Sequence, residues 1–404
     1  MTVNIFEISM SLLKIDQHDE VDLPYKTIQI DWTKLYPFEN ESIQYPTISP
    51  KKASFWESFP GLITTFKERI AAYTQERLLF RLKFIETASI IENFLGASYI
   101  ALNEDEDYLY ASVARIDVTE CAESLVNFND FLRNRNIPLL YVQAPDKVSK
   151  DDAVAFTRNL SNRNADDLLS ALKGAGVFTL DLREEIHRQR LVHHDLFFKT
   201  DHHWKPETGL WAAKIIAERL NASFGFDIDT SLYDPELYNY QVQDGFLGSI
   251  GRRASLGATR PEPFTFIFPK FKTDLTLSIP SRNINERDDF IVIYYKELRE
   301  YMSKGKNIYE KDYYSVYLYG LNPVTFMRNN HVASEKKILV ISDSFNLVVS
   351  PFLALSVKNT DILNLNGFTG SVRSFIDKTS PDIVLVLYSP GGISYTIDHD
   401  FDFR

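Results

Sequence analysis

A chain of 404 residues with 44% apolar and 25% charged side chains has an ordinary globular composition, long enough for a large core and two structural units. Its net charge of −11 argues against nucleic acid, whose binding needs clustered Lys and Arg to neutralise phosphates; a polyanionic ligand would need a local basic patch. The lone cysteine, Cys121, excludes an intrachain disulfide, and no apolar run approaches the roughly 18 residues of a membrane span.

Met1 to Leu13 lacks a basic start and carries Glu7 inside its apolar run, so it does not read as a signal peptide. The chain is then either soluble and cytoplasmic or preceded by a leader. Residues 1–50 are punctuated by Pro24, Pro37, Pro46 and Pro50 and read as extended arms or short strands. Phe55, Phe59, Leu62, Ile63, Phe66 and Ile70 recur at helical spacing, and Leu78 to Leu95 continues the pattern. Residues 1–95 are therefore expected to be an arm and a helical lead-in to a second unit at 96–404.

From about 96 the rhythm alternates between helix and strand. Helices are expected at Val118–Arg135, Ala153–Gly174 and Leu182–Gln189, with strands at Pro138–Gln143 and Val177–Asp181. Pro206–Leu220 is a helix with proline at its first position, where the missing N–H costs nothing. Residues 221–335 form a β-rich insertion with expected strands at Phe264–Phe268 and Phe290–Tyr294. The α/β rhythm returns with strands at Lys337–Ile341, Asp361–Leu365 and Asp382–Leu387. Such alternation implies an α/β fold with a mostly parallel sheet and helices on both faces. The aromatic share of 13%, with 29 Phe and 21 Tyr, fits either a well-packed interior or a groove facing carbohydrate.

Two motifs carry chemistry. Lys337–Ile341 is an apolar strand that ends in Ser342-Asp343-Ser344, and ligands of open α/β sheets sit beyond the carboxyl ends of strands. Ser344 is a nucleophile candidate there; the alternative is that the three polar residues only cap a helix. In Asp201-His202-His203-Trp204, Asp201 and His203 are two residues apart and project to one side of an extended segment. A carboxylate can then orient one ring nitrogen while the other faces a serine, which is the logic of a triad. The alternative is an N-cap with surface histidines. A metal site also stays open, because His193, His194, Asp195, Asp201, His202 and His203 fall within eleven residues, although no helical His pair or Cys ligand accompanies them.

These residues match a known pattern. Asp201-x-His203-x-x-Pro206-x-x-Gly209 resembles the final block of SGNH hydrolases, and Ser342-Asp343-Ser344 resembles their Gly-Asp-Ser block. Asn364 to Ser371, followed by Ser380 to Val386, resembles their second block and the strand after it. The order is reversed relative to ordinary members, as in the circularly permuted SGNH hydrolase-like domains of bacterial polysaccharide O-acetyltransferases of the alginate type. Asp201-His202-His203-Trp204 also resembles the signature of the bacterial DHHW family. The resemblance covers roughly 96–220 and 336–390, with Gly245–Ser249 also similar.

The resemblance implies a permuted SGNH-like fold and acetyl transfer to hydroxyls of an exported or cell-wall polysaccharide. Ser344 would be the nucleophile, His203 the base and Asp201 its orienter, with the Ser344 N–H and Gly370 holding the oxyanion. It implies no cofactor and no metal, a polysaccharide substrate, a membrane-bound acyltransferase as acetyl-supplying partner, and an extracellular or cell-surface location with an anchor preceding this chain. Acetyl esterase activity, or a catalytically weak glycan-binding or assembly role, are the alternatives.

Two departures stand out. Ser342 replaces the glycine before Asp343, which is expected to crowd the turn. The third block should end in Gly-x-Asn, but its strand ends Leu387-Tyr388-Ser389-Pro390-Gly391. Asn322, in Gly320-Leu321-Asn322, is the candidate to fold back as the missing donor, whose loss would cost roughly 2–4 kcal/mol of transition-state stabilisation. Arg373 and Tyr319 are further candidates for holding substrate; a surface helix charge is the other reading of Arg373.

Overall fold

The structure, a computed structural model, describes residues 100–103, 108–150, 159–256, 259–303, 307–395 and 403. They lie in the compact unit Ser98–Arg404. The arm and helical lead-in expected at 1–95 lie outside the described residues, as do 153–158 of the helix expected from Ala153.

In chain order the elements are β1 (Ile100–Asn103), β2 (Tyr108–Ala111), α1 (Thr119–Arg133), β3 (Leu139–Gln143), α2 (Ser161–Gly174), β4 (Phe178–Asp181), α3 (Leu182–Gln189) and α4 (Pro206–Phe224). There follow β5 (Tyr238–Phe246), α5 (Ser249–Ala254), β6 (Glu262–Pro269), β7 (Leu275–Ile279), β8 (Ile284–Asp288), α6 (Phe290–Ser303) and β9 (Val324–Asn329). The chain then forms β10 (Lys337–Ser342), α7 (Ser350–Leu353), β11 (Asn359–Leu363), α8 (Val372–Thr379), β12 (Ile383–Tyr388) and α9 (Pro390–Tyr395).

Among the described residues the main sheet has the order β4-β3-β12-β10-β11-β9-β7-β8. The β4-β3-β12-β10-β11 half is parallel, and β9, β7 and β8 extend it with antiparallel pairings, the β7–β8 hairpin lying outermost. The expected β-rich insertion thus contributes strands to the main sheet, while β5 and β6 pair as a separate ribbon.

The parallel strands are apolar without interruption because each face is covered. Ile338 and Val340 of β10 point into one core cluster, and Leu339 and Ile341 into the other. Leu210, Ala213, Ile216, Ala217 and Leu220 of α4 cover the first face. Leu125, Phe128 and Leu132 of α1, Leu168 and Leu172 of α2 and Ile376 of α8 cover the second. Much of the aromatic share goes into this interior. Phe198, Phe246, Phe264, Phe266, Phe290, Tyr294, Tyr313, Tyr314 and Tyr317 are all buried and share one core cluster.

One expectation fails. Phe290–Tyr294 reads as a strand but opens α6. Phe290, Ile293, Tyr294 and Leu298 are buried at helical spacing, while Ile291 and Val292 are exposed. The Asp289 carboxylate accepts from the Ile291 N–H, so the helix starts there despite its β-branched first turn.

Strand β10 is central, between β12 and β11, and its carboxyl end leads to Ser344 at the end of the sheet where open α/β sheets generally bind ligands. Helix α4 packs against the turn that follows. A Cβ added at Gly209 would lie 2.2 Å from the Val348 carbonyl oxygen. Replacing a helical glycine by alanine ordinarily stabilises by about 1 kcal/mol. Here overpacking against backbone outweighs propensity, so Gly209→Ala should destabilise by about 1–3 kcal/mol in urea denaturation; a stabilised variant would contradict this packing.

Candidate active site

Two segments 141 residues apart in the chain meet at His203 and Ser344. The first runs from Phe197 to Trp204, which form an antiparallel bridge, and leads directly into α4. The Phe198 N–H donates to the His203 carbonyl at 3.4 Å and the Lys205 N–H to the Leu196 carbonyl at 2.8 Å, so the segment doubles back on itself. Asp201 and His203 project from it, only 3% and 8% exposed. The second is the 3-10 turn Ser344–Val348, whose N-cap is Asp343.

Asp201 Oδ1 accepts from the His203 backbone N–H at 2.9 Å and from ring Nδ1 at 2.6 Å. An ionised carboxylate only accepts, so Nδ1 carries the proton and Nε2 is left as an acceptor. Ser344 Oγ lies 2.6 Å from Nε2 and donates to it. The three side chains therefore form one hydrogen-bonded row, carboxylate to imidazole to hydroxyl. Burial alone would raise the Asp201 pKa. The His203 and His202 imidazoles, with hydrogen bonds from His203 and Ser249, instead hold it well below the ordinary carboxylate range.

Asp201 is held from several sides. The Ser249 N–H donates to its Oδ2 at 2.5 Å. Gly248 packs so closely that a Cβ there would lie 2.3 Å from the Asp201 Cβ, so no larger residue fits. Lys147 Nζ donates to the Lys199 and Asp201 carbonyls at 2.6 and 2.9 Å, and burial lowers its pKa to about 7. Glu262 accepts from the Thr200 N–H and hydroxyl, both at 2.6 Å.

Asp343 serves a different end. Its Oδ1 accepts from the Phe345 N–H at 3.0 Å, and its Oδ2 from the Ser389 N–H and hydroxyl at 2.8 and 2.7 Å. The Gly392 N–H in turn donates to Ser389 Oγ at 2.9 Å, and a Cβ at Gly392 would lie 2.3 Å from Asp343 Oδ2. The end of β12 thus anchors the serine turn, and burial pushes the Asp343 carboxyl up. Ser342 does not crowd the turn. It is the last residue of β10, paired with Leu387, and is absent from the positive-φ positions where glycine would be required.

The Ser344 N–H opens the 3-10 turn, a position whose donor has no partner within the turn itself. Asn322, Tyr319 and Arg373 are engaged by other partners. Asn322 Nδ2 donates to the Leu318 and Gly320 carbonyls at 2.9 and 3.0 Å, which uses its two hydrogens. It braces a turn in which Leu318, Tyr319 and Gly320 all have positive φ. The Tyr319 hydroxyl donates to the Ile293 carbonyl at 3.1 Å and faces the interior. Arg373 is exposed on α8, its guanidinium 5.0 Å from the centre of the Phe131 ring on the opposite core face. Gly370 lies in the exposed loop between β11 and α8, against the Phe368 ring.

The candidate metal cluster divides. His193 Nε2 contacts the Asp146 carbonyl at 2.8 Å. Ligand atoms of Asp201, His202 and His203 lie within 4.8 Å of one another, close enough in principle for a cation. His203, however, spends its ring nitrogens on Asp201 and Ser344, and His202 Nδ1 lies 2.7 Å from Ser249 Oγ. A cleft of about 990 Å³ opens alongside this segment, lined by Lys199, Lys205 and Arg260 but also by Asp195, Glu207 and Glu262, so it is not a basic patch. No spacing in the sequence singles out Lys147, Glu262 or Ser389, and the Gly-Ser pair of Gly245–Ser249 wraps Asp201.

Comparison with known proteins bears on this arrangement. Residues 102–262 match the family described as the SGNH hydrolase-like domain of acetyltransferase AlgX. The alginate biosynthesis protein AlgX of Pseudomonas aeruginosa is 27% identical over 146 residues, a match that covers 33% of this chain and 30% of that protein. Among solved structures, PatB1 of Bacillus cereus, determined with a sulfonyl adduct, has a TM-score of 0.58 at 20% identity, over 76% of this chain and 97% of that one. A DHHW family protein from Eubacterium siraeum has a TM-score of 0.54 at 15% identity, over 71% of this chain and 88% of that one. No helix among the described residues is long and apolar enough to cross a membrane. The domain has an SGNH hydrolase-like fold, similar in sequence to the acetyltransferase AlgX and in architecture to the DHHW family.

Proposed function

We propose that this protein transfers an acetyl group to hydroxyls of an exported or cell-wall polysaccharide through an acetyl-Ser344 intermediate. The observation that carries the reading is the row Asp201–His203–Ser344, with 2.6 Å at each side-chain link. Ser344 Oγ attacks the acetyl carbonyl carbon and passes its proton to His203 Nε2. The tetrahedral oxyanion is met by the Ser344 N–H. Collapse expels the donor's leaving group, which takes the proton from His203, and leaves acetyl-Ser344. A sugar hydroxyl then attacks the ester and gives its proton to Nε2. The second collapse releases the acetylated sugar, and His203 reprotonates Ser344.

Asp201 holds Nδ1 protonated and offsets the charge of the imidazolium formed in each half. The same row would serve water as acceptor, which gives acetyl esterase activity. The likeness to a protein described as an alginate biosynthesis protein favours a polysaccharide acceptor and an exported location. A membrane-bound acyltransferase as acetyl supplier rests on that likeness alone.

The direct assay is turnover of p-nitrophenyl acetate by wild type, Ser344→Ala and His203→Ala. Wild type should release nitrophenolate in a burst and each variant should lose roughly 10³-fold or more; equal, negligible release by all three in the presence of sugar acceptors sinks the reading. Asp201→Asn should keep the fold and lower turnover by roughly 10³- to 10⁴-fold, because the amide favours the wrong tautomer. It should also change acid stability. A carboxylate with a depressed folded-state pKa adds stability above its unfolded value, near about pH 4, and loses it as pH falls through the folded value. Wild type should therefore lose more stability than Asp201→Asn in thermal melts below about pH 4; parallel losses would contradict the assignment.

A further inference from the structure

His203 is held by more than hydrogen bonds. The Tyr314 ring stacks on it with centroids 4.1 Å apart and planes at 16°, and the His202 ring lies 3.8 Å away at 37°. Two rings at those distances from a third must take opposite faces, for on one face they would collide. Tyr314 and His202 make no ring contact with each other, as this sandwich requires.

We infer that His202 and Tyr314 clamp the His203 imidazole between them and are positioning residues for the proposed base. The inference rests on reading His203 as that base, and it gives His202 a role. The hydrogen bonds in the imidazole plane, to Asp201 and Ser344, set its direction. The ring can still swing out of that plane about its side-chain bonds, and stacked neighbours resist this motion.

Each jaw is itself anchored. His202 Nδ1 lies 2.7 Å from Ser249 Oγ, the residue whose N–H also holds Asp201. Desolvation and the adjacent His203 lower the His202 pKa, so this jaw is neutral at pH 7 and does not repel an imidazolium. Tyr314 comes from the turn Tyr314–Tyr319, which carries positive φ at Leu318 and Tyr319 and is braced by the Asn322 amide. Burial raises the Tyr314 pKa well above its ordinary value, so the phenol is neutral too. Its π face lies against the ring that becomes positively charged in each proposed half-reaction, an attractive arrangement.

The test uses the full chain with Tyr314→Leu, Tyr314→Phe, His202→Ala and His202→Phe. Proton NMR reads the downfield Nδ1–H resonance of His203, which does not depend on turnover. Wild type and the two Phe variants should show it. It should be lost to solvent exchange in Tyr314→Leu and His202→Ala, with their backbone amide spectra otherwise unchanged. In those two variants kcat with p-nitrophenyl acetate should fall roughly 3- to 30-fold at unchanged KM, the loss expected for one ring contact with a cation. His202→Phe lacks the Ser249 contact but keeps a ring, so its recovery assigns the effect to stacking. His202 is half-exposed, so His202→Ala decides the matter even where the buried Tyr314→Leu fails to fold. A folded His202→Ala with the resonance and kcat intact overturns the clamp. A silent esterase assay beside the expected NMR pattern would remove the proposed function and leave the clamp standing.

Discussion

The site depends on close contact between the segment that opens α4 and the turn that follows β10. Three contacts set it. Gly209 of α4 lies against the Val348 carbonyl, the Trp204 indole N–H donates to the Phe345 carbonyl at 3.0 Å, and His203 reaches Ser344 at 2.6 Å. Trp204 is fully buried, so its indole N–H must find an acceptor, and a carbonyl one residue beyond Ser344 supplies it. The tryptophan of the Asp-His-His-Trp run thereby brings the adjacent histidine into register with the serine. Pro206 and Gly209 then allow the helix to start at once and to approach without a side chain between.

The two buried carboxylates show how environment separates function. Asp201 meets two imidazoles and the Ser249 N–H, and its pKa falls despite burial. Asp343 meets mainly neutral donors from Phe345 and Ser389, and burial raises its pKa. The first is suited to stand opposite a developing imidazolium. The second ties the serine turn to Ser389, just past the end of β12, where Gly392 of α9 leaves room for its carboxylate.

Much of this was legible in the chain. Uninterrupted apolar runs such as Ile338–Ile341 predict strands buried on each face, and the Asp201–His203 spacing with Ser344 beyond a strand end predicts the row observed. What sequence reading misplaced had physical causes. Phe290–Tyr294 is β-branched and aromatic, yet its burial follows helical spacing, which tertiary packing decides. Asn322 resembled an oxyanion donor by motif, but the positive φ of its neighbours drew its amide inward. Tyr314 carried no signal, because a tyrosine among many aromatics gives no sign of which ring it will stack on. Lys147 and Glu262 act on backbone groups of Lys199–Asp201, a kind of contact that leaves no spacing pattern.

The proposed transfer requires that Ser344 become acylated. The most direct measurement is mass spectrometry of the peptide containing Ser344 after brief exposure of the full chain to p-nitrophenyl acetate and acid quenching. Wild type should carry one added acetyl group on Ser344, and neither His203→Ala nor Ser344→Ala should acquire it in the same brief exposure. Acetyl groups scattered over lysines with Ser344 unmodified would contradict it.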